Sequence, residues 1–178
     1  MRPSGIGCDM LRIFEPTTEV ELDLVRALMR AFVGWARMRY AAELEFVDCY
    51  FDEAAFETEL VGLPGKYGRP KGRLLLALEG ERPAGCVAFR ELGAGVCEMK
   101  RLYVDPSWHG KGVGRALVAK VIQEAKLAGY STMRLDTGPN QVEAQTLYRS
   151  TGFKLIPAYY DLPDKLRNWL VFMELKLS

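Results

Sequence analysis

The stretch "SWHGKGVGRALVAKVIQEAK", residues 107–126, sets three glycines in five positions and then runs on as an amphipathic helix. Glycine gives up more backbone freedom on ordering than any other residue, so Gly110, Gly112 and Gly114 in alternation need a physical reason. The segment before them, "VCEMKRLYVDP", reads as a strand stopped by Pro106. A strand, a glycine turn and a helix start together make the geometry of an anion site. The first N–H groups of a helix have no partner inside it, and the helix dipole adds partial positive charge there. Glycines keep side chains away from those groups, so a phosphate can touch them directly. Lys111 and Arg115 add cationic charge. The same residues also suit an ordinary tight turn with an excess of glycine. Two better-known phosphate loops are excluded. "GKGVGR" lacks the Lys-Ser or Lys-Thr that closes a G-x-x-x-x-G-K-[ST] loop, and Arg115 stands where the third glycine of G-x-G-x-x-G belongs.

Downstream, the helix from about Gly112 to Ala128 ends at Gly129 in the C-cap position. "STMRLDT" (131–137) then reads as a strand and "QVEAQTLYRST" (141–151) as a helix ended by Gly152. "FKLIPAYYD" (153–161) is a strand-like run and "LVFMELKL" (170–177) a closing strand. Upstream, "RLLLALEGERPAGCVAFREL" (73–92) reads as strand, turn, strand, and "GAG" (93–95) as a further reversal. "GLPGKYGRPKG" (62–72) breaks regular structure and has the composition of a mobile loop near a site. A helical stretch precedes it over about Asp52–Leu60. A longer helix follows Pro16, opened by a Thr18–Glu21 capping box and carrying Leu24, Ala27, Leu28, Ala31, Phe32 and Trp35 at helical spacing. "MLRIF" (10–14) has strand character. The order points to an α/β (α+β) fold: one domain over 1–178 with a mixed, mostly antiparallel central sheet flanked by helices.

The 178 residues carry 24 Lys and Arg against 23 Asp and Glu, a net charge of +1, which argues against a nucleic-acid partner. The basic clusters "KR" (100–101) and "RPKGR" (69–73) read as solvated surface. No apolar run approaches the roughly 20 residues of a membrane span, and the start lacks the apolar core of a signal peptide. Cys8, Cys49, Cys86 and Cys97 show no C-x-x-C pairing, and His109 is the only histidine, so no structural metal is expected. Cys86 and Cys97 fit buried strand positions. The expectation is a cytoplasmic, reduced protein without a membrane partner; nothing in the sequence fixes the oligomeric state, and a homodimer stays open.

The turn "HGKGVG" resembles the R/Q-x-x-G-x-G/A turn of the GNAT superfamily of acyl-CoA N-acyltransferases, with His109 in the place usually held by Arg or Gln. "CEMKRLYVDPSWHGKGVGRAL" is similar to that family's fourth strand and third helix. "MRLDTGPNQVEAQTLYRSTGF" is similar to its fifth strand and fourth helix, with Ala144, Tyr148, Gly152 and Phe153 at the family spacing. The resemblance is best over residues 73–178. It implies acetyl-CoA as cosubstrate, its pyrophosphate on main-chain N–H groups of 109–114 (His109, Gly110, Lys111, Gly112, Val113, Gly114), with Arg115 beside them. The pantetheine arm would meet the backbone of Leu102 and Val104. Asn140 carries over from a cofactor-touching asparagine, one residue further from Ala144 than the common spacing.

Acyl transfer to an amine needs a base for the ammonium, a donor for the oxyanion and a proton donor for the departing thiolate. The resemblance implies Tyr148 as the donor to sulfur, its alternative being a core aromatic. It implies Glu98 as the base, directly or through water, the alternative being a salt bridge to Lys100 or a loop cation. In strand alternation Glu98 shares a face with Lys100 and Leu102, opposite Met99, Arg101 and Tyr103. The stretches 63–70 and 157–169 are expected to border the acceptor pocket, with Tyr159, Tyr160 and Asp161 as candidates. The implied activity is acetyl-CoA-dependent N-acetylation of a primary amine on a small molecule, amino acid or peptide. A catalytically idle acyl-CoA-binding or regulatory module on the same fold is the alternative.

Overall fold

A computed structural model describes residues 10–177; Cys8 and most of the stretch read for a signal peptide lie outside the described residues. The elements are β1 (Leu11–Phe14), α1 (Glu19–Arg39), α2 (Leu44–Tyr50), α3 (Glu53–Val61), β2 (Arg73–Glu79), β3 (Arg82–Gly93), β4 (Val96–Val104), α4 (Val113–Leu127), β5 (Thr132–Thr137), α5 (Val142–Thr151), β6 (Lys154–Ile156), α6 (Asp164–Trp169) and β7 (Val171–Lys176). The seven strands form one sheet in the order β1-β2-β3-β4-β5-β7-β6. Every neighbouring pair is antiparallel except β4 and β5. This is the mixed, helix-flanked sheet the sequence implies.

Both faces of the sheet are covered, which is why "RLLLALE" is apolar almost throughout. Leu74, Leu76 and Leu78 pack with Val25, Leu28 and Met29 of α1, whereas Leu75 and Ala77 pack with Leu117, Val118 and Val121 of α4. The Thr18 hydroxyl accepts the Glu21 N–H, and the Glu21 carboxylate accepts the Thr18 N–H, completing the capping box. The inward stripe of α1 is rotated from the expected one: Leu22, Val25, Leu28, Met29 and Ala36 are buried, while Ala27 and Ala31 face outward. Turning Val25 and Met29 inward buries more apolar area than two alanine methyls would.

Other departures are local. α2 and α6, of 7 and 6 residues, are too short to show a helical period in the sequence. They pack together, Phe46 stacking on Trp169 at 5.3 Å. The 62–72 segment is not loose, since Tyr67 is 1% exposed in a short 3-10 turn over Gly65–Tyr67. The run 153–161 is strand only over Lys154–Ile156; Pro157 has no N–H for a ladder, and the chain leaves the sheet there. Cys86 and Cys97 are both fully buried thiols. Among the described residues no helix is long and apolar enough to cross a membrane.

Candidate active site

The parallel ladder between β4 and β5 is three pairs long, Val96–Thr132, Cys97–Met133 and Glu98–Arg134, and past Glu98 the strands part. A bulge in β4 accompanies the parting. Cys86 lies opposite Tyr103 and Ala88 opposite Lys100, so Val87 faces both Arg101 and Leu102. Arg101 sits at φ 59°, in the left-handed region. An inserted residue bends a strand and shifts its alternation by one. The expected grouping of Glu98, Lys100 and Leu102 on one face is therefore corrected. After the bulge Tyr103 joins the α1 face, while Leu102 and Val104 pack against the α4 cluster.

At the end of β4, Asp105 accepts the Ser107 N–H and opens a 3-10 turn over Pro106–Trp108. Gly110 and Gly112 follow at φ 74° and 82°, and a Cβ on either would meet no atom within 4 Å. Backbone angle, not crowding, selects glycine at these two positions. The His109 N–H donates to the Pro106 carbonyl at 3.2 Å and the Lys111 N–H to the Trp108 carbonyl at 3.4 Å. Those two of the expected 109–114 cradle are thus turned back into the chain. The N–H groups of Gly110, Gly112, Val113, Gly114 and Arg115 have no main-chain partner among the described residues. His109, Lys111 and Arg115 are exposed around them. The Val113 side chain is buried, so that residue offers its N–H only. Lys111 Nζ lies 4.4 Å from the Trp108 ring centroid, and His109 Nε2 lies 3.0 Å from the Val104 carbonyl oxygen. Five amides without a main-chain partner, beside the cations Lys111 and Arg115, fit a pyrophosphate.

Asn140 lies at a junction between α1 and α5. Its N–H donates to the Tyr40 hydroxyl at 3.0 Å, and its carbonyl accepts from Arg39 Nη2 at 2.8 Å. Gly138 makes room for this contact, because a Cβ there would fall 2.8 Å from Tyr40 Cζ.

Tyr148 on α5 is 6% exposed and lines a cavity under the parted strands, together with Lys100, Arg101 and Leu102 of β4 and Asp136 and Thr137 of β5. Its hydroxyl makes no hydrogen bond among the described residues. Burial, and secondarily the Asp136 carboxylate, push this phenol above its ordinary pKa, so it stays protonated. Glu98 is fully buried and outside that wall. Arg90 Nε donates to its Oε2 at 2.7 Å, the Tyr159 hydroxyl donates to its Oε1 at 2.6 Å, and Lys100 Nζ is 3.5 Å from Oε1.

The cavity wall also holds a buried network not expected from the sequence. Lys100 Nζ donates to Asp136 Oδ2 and to the Tyr50 hydroxyl, both at 2.9 Å. The Tyr50 and Tyr160 hydroxyls donate to the two Asp136 oxygens. Burial opposes the charge on Lys100, but the Asp136 and Glu98 carboxylates outweigh it and hold the ammonium above its ordinary pKa. Burial likewise opposes the Asp136 charge, and Lys100 with the two tyrosines keeps that carboxyl below its ordinary value. A second cavity lies beyond Tyr50, Phe51 and Arg101, bordered by α3 and by Pro64–Tyr67 of the expected acceptor stretch. Here Arg101 Nε and Nη2 donate to Glu59 Oε1 and Oε2 at 2.7 and 3.1 Å. "KR" at 100–101 is thus not solvated surface: the two side chains are 13% and 11% exposed. The signal for Asp136 was its place in "TMRLDT", where Met133 and Leu135 face one core and Arg134 and Asp136 the other side. Tyr159 and Tyr160 are anchors to Glu98 and Asp136, and Asp161 is exposed and lines neither cavity.

A sheet parted beside a glycine turn, with a protonated phenol in the gap, defines the class of acyl-CoA-dependent N-acyltransferases. The chain belongs to the GNAT acetyltransferase family, whose model matches residues 35–153. It is 34% identical over 180 residues to an uncharacterised N-acetyltransferase of Schizosaccharomyces pombe, covering 100% of this chain and 99% of that relative. It is 29% identical over 151 residues to the N-acetylaspartate synthetase of Danio rerio, covering 80% of this chain but 52% of that protein, so it spans about half the relative's length. Its fold matches the PaiA N-acetyltransferase of Thermoplasma acidophilum, a structure in complex with coenzyme A, with a TM-score of 0.72 at 19% identity over 94% of this chain and 99% of that one. The protein is an acyltransferase.

Proposed function

We propose that this enzyme transfers the acetyl group of acetyl-CoA to a primary amine of a small molecule by direct attack of the amine on the thioester. The observation that carries the reading is the parting of β4 from β5 at Glu98, with Tyr148, Arg101 and Leu102 lining one cavity. The N–H groups between Gly110 and Arg115 hold the pyrophosphate. Unpaired β4 backbone at Leu102 and Val104 receives the pantetheine arm, the Val104 carbonyl sharing itself with His109. Tyr148, protonated at every working pH, gives its proton to the sulfur as the carbon–sulfur bond breaks. The ammonium proton passes through water to Glu98, which is buried outside the cavity wall and cannot meet the amine directly.

A relative that makes N-acetylaspartate supports a small, amine-bearing acceptor over a protein. The test is thiol release from acetyl-CoA against a panel of amines, amino acids and short peptides, with acetylated product identified by mass. Turnover with peptides alone, or with no amine at all, overturns the reading.

A further inference from the structure

Tyr50, Phe51 and Arg101 form the partition shared by the two cavities. Arg101 is fixed in it from several sides. Its guanidinium carbon lies 5.3 Å from the ring centroids of both Phe51 and Phe56, and Glu59 takes Nε and Nη2 in a two-pronged pair. A guanidinium has five N–H donors and no acceptor, and this pair uses two of them. Nη1 donates to nothing among the described residues, yet no buried side-chain nitrogen or oxygen among them lacks a hydrogen bond. Nη1 therefore keeps accessible surface, on a residue that lines both cavities. Glu59 has no such remainder, because Lys66 and the Tyr67 hydroxyl also donate to its oxygens. The Tyr50 hydroxyl is committed as well, between Lys100 and Asp136. The unspent hydrogen-bonding capacity of the partition is cationic and donor only. Asp52 at the outer rim is occupied in capping α3.

The backbone points the same way. Without the bulge, Arg101 would share the face of Met99, inside the apolar cluster under α4. Instead a long charged residue holds a left-handed angle that glycine would adopt without strain, and its side chain reaches the cavities.

We propose that Arg101 is a specificity-determining residue that anchors the carboxylate of the acceptor, making that acceptor an amino acid. A planar two-oxygen anion matches the free edge of the guanidinium. In an α-amino acid the nucleophilic amine is one carbon from the carboxylate, which suits a cavity whose wall holds both Arg101 and Tyr148. An amine without a carboxylate leaves Nη1 without an acceptor while the Glu59 pair stays in place, and a site built to bond a polar group discriminates against the analogue that lacks it.

This inference rests on the acetyl transfer proposed above, and the experiment separates the two. Initial rates are measured on the wild-type enzyme with L-phenylalanine against phenethylamine, L-leucine against isoamylamine, and L-methionine against its methyl ester. The expected result is a kcat/KM about 10²-fold higher for each free acid than for its partner, mostly in KM. In Arg101→Lys, which keeps a cation beside Glu59, the same ratio falls toward one, while acetyl-CoA affinity by calorimetry holds. Equal kcat/KM within each pair on the wild-type enzyme, or a ratio undiminished in Arg101→Lys, overturns the anchor and leaves acetyl transfer standing. No turnover with any amine overturns both.

Discussion

At the glycine turn the groups offered to a ligand are main-chain N–H groups within the six residues Gly110–Arg115. At the partition it is one side chain, the Arg101 guanidinium, within pairs assembled from distant segments: Tyr50 and Asp136 are 86 residues apart in sequence, and Arg101 and Glu59 are 42 apart. The turn works through what side chains leave uncovered. The partition works through charges that burial forces into pairs. A backbone-built site survives much sequence change provided its dihedral angles are kept, whereas a side-chain-built site can be rewritten one residue at a time. One half is thus suited to a fixed cosubstrate and the other to a variable acceptor.

Four changes would break or sharpen that division. The largest effect is expected from Gly112→Glu, which adds a carboxylate and a Cβ at φ 82°. The left-handed angle costs a non-glycine residue about 1 kcal/mol, so the fold should persist. Acetyl-CoA affinity by calorimetry should fall at least ~10³-fold as phosphate meets negative charge. Retained affinity would remove the turn from the site. Tyr148→Phe comes next: kcat should fall about 10²-fold, near the low end for a lost proton donor, with acetyl-CoA affinity unchanged. A weakened cosubstrate complex would mean that the phenol belongs to the backbone-built half after all.

Glu98→Gln should lower kcat/KM about tenfold at pH 7, with the deficit shrinking toward pH 9 as free amine becomes abundant. A deficit constant with pH, accompanied by a lower Tm, would assign Glu98 to the Arg90–Tyr159 anchor alone. The smallest effect concerns Glu59. Although burial pushes its carboxyl up, Arg101 and Lys66 lower its pKa from 4.5 to about 2. A depressed folded-state pKa contributes stability that is complete above 4.5 and is lost as pH falls through the folded value. Tm should therefore decline from pH 5 to pH 3, and this slope should flatten in Glu59→Gln. Parallel slopes would show that the pair does not brace the partition.

Legibility in the sequence followed the same division. Strand, turn and helix from Val96 to Leu127 could be read because each signal is local: Pro106 stops a strand, Gly112 begins a helix and Gly129 follows its end. The capping box at Thr18 and Glu21 was readable for the same reason. Arg101 was not. Its reversal of face depends on one bulge opposite Val87, and alternation counted along β4 carries no sign of it. Asp136 looked like one more strand charge until Tyr50, Lys100 and Tyr160 were brought around it by the fold. α2 and α6 escaped because two turns of helix leave no period to count.

The fit of Tyr40 over Gly138 couples the end of α1 to the β5–α5 turn. Alanine at 138 would force the Tyr40 phenol to shift, since its Cβ would fall 2.8 Å from Cζ, and the Asn140 N–H loses its acceptor if the phenol goes first. Neither residue has a neutral first step. A change at either position is therefore expected to need a matching change at the other, and an α1 exchanged from a relative to fit best with its own β5–α5 turn. In the language of epistasis, the end of α1 and the β5–α5 turn behave as one locus.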